Sequence, residues 1–246
     1  MMGKIEYKPI LPKTINRAAA FILDAILLLV LFTGILYFIS LIADFDTHYA
    51  ILQEEYKKVG YLVFNPEIND YQAISPTDPN FDYVVELIND NEVLLKELSF
   101  VNTFSVNAPL IGLAISLFIL EFIVPLILKN GQTVGMKFFK IALISNNNLA
   151  ITTTQLFARC IIGKIAVLGI IPMLAILYIF LNAGGGLFGT IILLVVVIIQ
   201  IIMLIKNKNH EGIADKIANV YPVNFTETVI YKTQKELDEA YYNYNK

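Results

Sequence analysis

Residues 16–43, NRAAAFILDAILLLVLFTGILYFISLIA, form a nearly unbroken apolar run that nonetheless holds Arg17 and Asp24. About 20 apolar residues at 1.5 Å each cross a bilayer, so the run is long enough to span one. An ionised carboxylate at that depth costs roughly 2.5–3.5 kcal/mol on insertion scales. Asp24 must therefore face a base, a hydrogen-bonding neighbour or water rather than lipid. Seven residues make nearly two helical turns, which places Arg17 and Asp24 on one face, about 10.5 Å apart along the axis. Ala18, Ala19 and Ala20 keep the turn between them slim enough for close approach of another helix.

Three further apolar runs follow, at 107–128, 161–182 and 187–205. Only 16% of the chain is charged, against about 25% in soluble proteins, and the apolar excess is gathered into these runs. The fold expected is an all-α membrane protein with four transmembrane helices (17–43, 107–128, 161–182 and 187–205). It carries a small helical extracytoplasmic insertion at 44–106 and a short interfacial helix or hairpin segment. The first run is longer than the 7–15 apolar residues of a secretory signal and contains Asp24, so an uncleaved first span is expected.

Residues 44–106 hold twelve acids against three bases. Helical periodicity is read at 49–63 and 83–98, with loops at Asn65-Pro66 and around Pro76 and Pro79. Residues 129–160 form a basic loop, within which 141–145 and 149–153 read as a local hairpin around Asn146, Asn147 and Asn148. Residues 136–140, with Phe138 and Phe139 between lysines, read as interfacial. Gly184, Gly185 and Gly186 mark a tight turn between the last two runs.

Basic residues set the orientation. Lys4, Lys8, Lys13 and Arg17 flank the first run; Lys129, Lys137, Lys140 and Arg159 lie between the second and third; Lys206, Lys208 and Lys216 follow the fourth. Four spans put all three basic segments on one side. A multi-pass protein of the cell membrane is expected, with the 1–16 segment, the 129–160 loop and the 206–246 tail cytoplasmic and the acidic insertion outside. In that arrangement Glu121, eight residues before Lys129, comes to nearly the depth of Asp24, and the two would form a paired acidic site if their helices face each other.

The composition excludes several classes. The net charge of −3 and the absence of a lysine-arginine block argue against nucleic-acid binding. Cys160 is the single cysteine, and His48 and His210 lie far apart, so no zinc-type metal site and no intrachain disulfide is expected. No serine–histidine or cysteine–histidine constellation lies in the spans, so no enzyme is expected, and no cofactor is called for. The loop at 131–135 lacks the spacing of a phosphate-binding loop. Pro125 and Pro172 each free a backbone carbonyl, useful for coordinating a cation and commonly only a kink.

Arg17-x6-Asp24, the loop Gly131-Gln132-Thr133-Val134-Gly135 and the segment Ala214-Asp215-Lys216-Ile217-Ala218 together resemble the RDD family, membrane proteins named for one arginine and two aspartates. Arg17, Asp24 and Asp215 match that trio. Two positions depart from the family pattern. Met136 rather than lysine follows Gly135, with Lys137 one place later, and Val220 stands where a threonine is usual. The resemblance implies a membrane protein for which transport, including cation/proton exchange in some members, has been proposed.

Two functions are weighed on these residues. In the first, Asp24 and Glu121 bind a small cation or proton, and Arg17 and Asp215, with Arg159 nearby, gate the cytoplasmic side. Four helices are few for such a pathway, so a homo-oligomer is expected with it. In the second, the chain is a non-transporting assembly or regulatory membrane protein whose charges only fix helix packing. There Asp24 is neutralised by Arg17, Arg159 or Lys164, and Glu121 is protonated against a neighbouring helix.

Overall fold

The computed structural model describes residues 9–180, 187–206 and 211–244. Lys4, Lys8, Lys208, His210 and the glycine turn expected at 182–186 lie outside the described residues. The chain divides into two units, 34–112 on one hand and 1–33 with 113–246 on the other.

The 34–112 unit holds the whole of the acidic insertion at 44–106. Helix α1 (Thr14–Ile42) ends within it, and Asp44 in the left-handed conformation turns the chain into α2 (Phe45–Lys58). Strands β1 (Leu62–Asn65) and β2 (Asp70–Ala73) pair antiparallel, with Phe64 opposite Tyr71 and their rings edge to face. Next come α3 (Phe81–Asp90) and α4 (Glu92–Phe118), separated at Asn91. Asn91 stops α3 and caps α4 by accepting from the Leu94 N–H on its side-chain oxygen (3.0 Å). The core here is Leu52, Leu94 and Val101 with Phe45, Tyr56, Val59 and Ile88 around them.

Two expectations change in this unit. The helix expected at 49–63 stops at Lys58, because Gly60 takes a positive φ and the alternating residues after it pair as a hairpin. The insertion is therefore helical with a small sheet rather than wholly helical. The helix expected at 83–98 breaks at Asn91, and its second half runs on as α4. Polar Asn102, Thr103 and Ser105 do not interrupt it, since helix needs only a continuing apolar stripe, and Leu94, Leu98 and Val101 supply one.

In the other unit, α4 continues through a π-helical turn, π1 (Ile119–Ile123), into α5 (Val124–Leu128). A loop leads to α6 (Val134–Phe138) and β3 (Ile141–Ser145). Helix α7 (Thr153–Ala158) starts on a reciprocal cap between Thr152 and Gln155 and passes into a longer π segment, π2 (Arg159–Ile170), then α8 (Ile171–Phe180). Helix α9 (Leu187–Lys206), α10 (Ile213–Ile217), β4 (Val220–Asn224) and α11 (Gln234–Tyr244) complete the chain.

Both π segments precede a proline. A proline ring clashes with the carbonyl four residues earlier, and widening the helix by one residue relieves it. For Pro125 that carbonyl belongs to Glu121 in π1; for Pro172 it belongs to Leu168 in π2.

The local hairpin expected at 141–153 is replaced by a long-range pair. β3 runs antiparallel to β4, with Leu143 opposite Pro222, and its only local pairing is the bridge from Ile144 to Ala150. The reason is burial: every residue of β3 is buried, so it needs a partner that is apolar on both faces. Residues alternate across a strand. Ile141 and Leu143 accordingly pack with Ala20, Met136, Ala218 and Val220, while Ala142 and Ile144 pack with Tyr221 and Val223. Pro222 lacks an N–H and suits only an edge strand, as β4 is.

Among the described residues, three helices are long and apolar enough to cross a membrane: Thr14–Ile42, Glu92–Leu128 and Thr153–Ile179. The fourth apolar run appears as a shorter apolar helix, Leu187–Met203.

Candidate functional site

Asp24 meets the loop that follows α5. The chain reverses there through Lys129, Asn130 and Gly131, all with positive φ. Thr133 then caps α6, its Oγ1 accepting from the Met136 N–H (3.2 Å) while its hydroxyl donates to Asp24 Oδ2 (2.5 Å). The Gly135 N–H donates to Asp24 Oδ1 (2.8 Å). One oxygen of the carboxylate thus takes a free backbone N–H of the first turn of α6 and the other takes the hydroxyl of its N-cap residue. Gly135 is required by space: a Cβ on it would lie 2.3 Å from the Ala20 carbonyl oxygen and 2.9 Å from Asp24 Cγ. Gly131, Thr133 and Gly135 therefore form the seat of Asp24 rather than a separate motif.

Glu121 is fully buried in π1 and lies between two bases of π2. Arg159 Nη1 is 2.6 Å from its Oε2 and Lys164 Nζ is 2.9 Å from its Oε1. Arg159 also reaches the tail, with Nε 2.8 Å from Asp215 Oδ1. Asp215 Oδ2 accepts from the Gly212 N–H (3.2 Å), closing the first turn of α10, and is 3.5 Å from Arg17 Nη2. The tail can come this close because Gly163 has no side chain; a Cβ there would sit 2.6 Å from Ala214 Cα. Gln200 of α9 accepts from the Ile213 N–H (3.1 Å), and Glu211 pairs with Lys216 (3.7 Å).

Burial by itself would push the Asp215 carboxyl up. The guanidiniums of Arg159 and then Arg17 outweigh it and hold the group below its ordinary value. Arg17 Nη1 is buried without a hydrogen-bond partner among the described residues. Arg17, Arg159, Lys164 and Lys216 pair with Glu121, Glu211 and Asp215, four bases to three acids, while Asp24 is held apart from them by hydrogen bonds alone.

Several sequence expectations change here. Asp24 and Glu121 do not share a site: the first is held by Thr133 and Gly135, the second by Arg159 and Lys164. Asp24 forms a direct ion pair with none of the bases expected for it, and Arg17, although on its face, turns to Asp215. Glu121 meets two cations, Arg159 and Lys164, in place of the neutral hydrogen bond to a neighbouring helix expected for it. Asp215, which its grouping with the arginines leads one to pair with Arg17 or Arg159, meets both. The pairing of Lys164 with Glu121 was missed because five residues separate Arg159 from Lys164. That spacing splays them around an α-helix and brings them together only where i and i+5 align, as in a π segment. Among the described residues, no group of three or more His, Cys, Asp or Glu is placed to hold a metal ion.

Long apolar helices around a buried lattice of ion pairs define an integral membrane protein. The model of the RDD family matches residues 11–219, which include Arg17, Asp24 and Asp215. The chain belongs to that family. No curated protein and no solved structure matches it.

Proposed function

We propose that this RDD-family protein is a non-transporting assembly or regulatory component of the cell membrane, in which the arginine–aspartate lattice fixes the packing of the spans and docks the tail on them. Four spans, with both termini and the 129–160 loop cytoplasmic and the 44–106 insertion outside, follow the basic residues at Lys13, Lys129, Lys137, Lys140 and Lys216. One observation carries the reading. Each carboxylate oxygen of Asp24, Glu121 and Asp215 already has a donor or a cation on it. At Glu121 and Asp215 a small cation would have to compete with a base already paired to the carboxylate, and breaking a buried pair costs about 3–5 kcal/mol.

Two features favour the alternative, a cation or proton exchanger working as a homo-oligomer. The lattice is built on two π segments, which recur at functional sites, and Arg17 retains an unsatisfied Nη1. Flux into proteoliposomes decides between them. Purified chain should collapse neither a proton nor a sodium or potassium gradient faster than empty vesicles. Faster collapse that disappears in Asp24→Asn would overturn the assembly reading in favour of exchange.

A further inference from the structure

The stretch around α6 carries charges that the lattice does not use. Lys129, Lys137 and Lys140 are exposed, and among the described residues none of them forms an ion pair. No Asp or Glu occurs in the sequence between Glu121 and Glu211, so α6 and its flanks carry no acid of their own. Asp24, which touches α6, has both oxygens occupied by Thr133 and Gly135. The exposed Glu227 lies two residues beyond Phe225, whose N–H donates to the Lys140 carbonyl (2.9 Å), and among the described residues it forms no ion pair.

The same stretch presents apolar side chains outward. Gly135 and Met136 of α6 are buried toward α1 and β3, while Phe138 is 73% exposed and Ile127 71% exposed. Through Gly135 the helix is fastened to Asp24, ten residues and about 15 Å along α1 from Thr14. A short amphipathic helix pinned to a membrane-spanning one, with an aromatic ring out and lysines beside it, lies at the boundary where apolar side chains enter acyl chains and ammonium groups reach headgroup oxygens. Lys129 and Lys140 bracket it, both in left-handed backbone conformations that fix where their stems leave the chain.

We propose that Lys129, Lys137 and Lys140, exposed within and on either side of the short helix that presents Phe138, form a docking surface for the phosphate of acidic phospholipid headgroups. The charge complementarity selects acidic over zwitterionic lipid, and Phe138 places its ring among the acyl chains beneath. The assignment needs only that the chain lies in a bilayer; it is independent of whether ions move through it.

The chain contains no tryptophan, so Phe138→Trp supplies a single fluorescent reporter. The full chain carrying it would be reconstituted in phosphatidylcholine vesicles containing phosphatidylglycerol, with brominated acyl chains on one lipid or the other. Each juxtamembrane lysine enriches acidic lipid about five-fold, so brominated phosphatidylglycerol should quench, mole for mole, at least about five-fold more effectively. Preference should fall to parity in Lys129→Gln/Lys137→Gln/Lys140→Gln and should survive millimolar inorganic phosphate. Equal quenching by the two lipids, or a preference unchanged in the triple variant, would overturn the proposal. Loss of the preference with inorganic phosphate alone would reassign the surface to free anions and overturn it as well. If the tryptophan variant does not reconstitute, lipids retained by the otherwise unaltered chain after detergent extraction give the same comparison by mass spectrometry. Enrichment of phosphatidylglycerol that the triple variant lacks supports the surface; no enrichment refutes it.

Discussion

Gly135→Ala tests the seat of Asp24 with a single methyl group. Gly135 lies in ordinary right-handed helix, so alanine suits its backbone and the effect is one of space alone. The added carbon would stand 2.3 Å from the Ala20 carbonyl oxygen and 2.9 Å from Asp24 Oδ2. Neither neighbour can swing away: one is the backbone of α1, and the other is held by Thr133. Helix α6 must therefore back off by most of an ångström. That stretches the 2.8 Å bond from the Gly135 N–H to Asp24 beyond useful length. Overpacking costs about 1–3 kcal/mol. Losing a hydrogen bond to a charged group adds roughly 1.5–3 kcal/mol. The expected destabilisation is thus about 3–5 kcal/mol.

Reversible unfolding in mixed micelles by graded SDS, followed by circular dichroism, gives the number. Gly34→Ala is the matched control, because a Cβ there meets nothing within 4 Å. It should be neutral or slightly stabilising, as alanine is the better helix former. Placing Gly135→Ala in an Asp24→Ala background should remove at least about 1 kcal/mol of its cost, since the two changes strike one contact. The reasoning fails if Gly135→Ala costs no more than Gly34→Ala, or if its cost is undiminished without Asp24.

Arg159→Met should cost about 3–5 kcal/mol in the same assay, because Glu121 and Asp215 both lose a buried partner. Arg159→Lys should fall between it and wild type, since an ammonium lacks the planar fork that meets two carboxylates at once. The exposed pair of Lys235 and Glu239 supplies the contrast, and Lys235→Ala should leave the midpoint unchanged. Asp215 predicts a pH dependence. Its carboxyl is held below the unfolded value of about 3.9, so on acidification the unfolded chain takes up the proton first. Stability from this group is then complete above about pH 5 and is lost as pH falls through the lower folded value. Asp215→Asn should flatten that part of the stability–pH curve, and an unchanged slope would show that the acid sensitivity arises elsewhere.

What the sequence makes legible is set by local rules, and the exceptions are non-local. Arg17, Asp24 and Asp215 stand out because a charge beside an apolar run is expensive, and all three prove to be buried or bonded. Their partners are harder to see. Asp24 is satisfied by a hydroxyl and a backbone N–H more than a hundred positions away, groups that carry no charge signal. β3 reads as half of a hairpin because its neighbours alternate, yet its two buried faces demand β4 from the far end of the chain. The meeting of Arg159 and Lys164 on Glu121 is hidden by the assumption of α-helical periodicity, although Pro125 and Pro172 mark where that periodicity gives way.

Arg159 ties these strands of the argument together. Among the described residues it is the one side chain paired with both Glu121, in the middle of the chain, and Asp215, in the tail. Spans inserting one by one into a bilayer would each carry an unpaired charge, at a cost of a few kcal/mol apiece. Pairing Glu121 with Arg159 and Lys164 removes that cost for two spans, but Arg159 is also shaped to hold a second carboxylate, and only α10 brings one. Docking of the tail is therefore part of closing the helix bundle rather than an addition to it. Gly163 and Gly212, which let α10 lie against π2 and against Gln200, are as necessary to the lattice as the charges themselves.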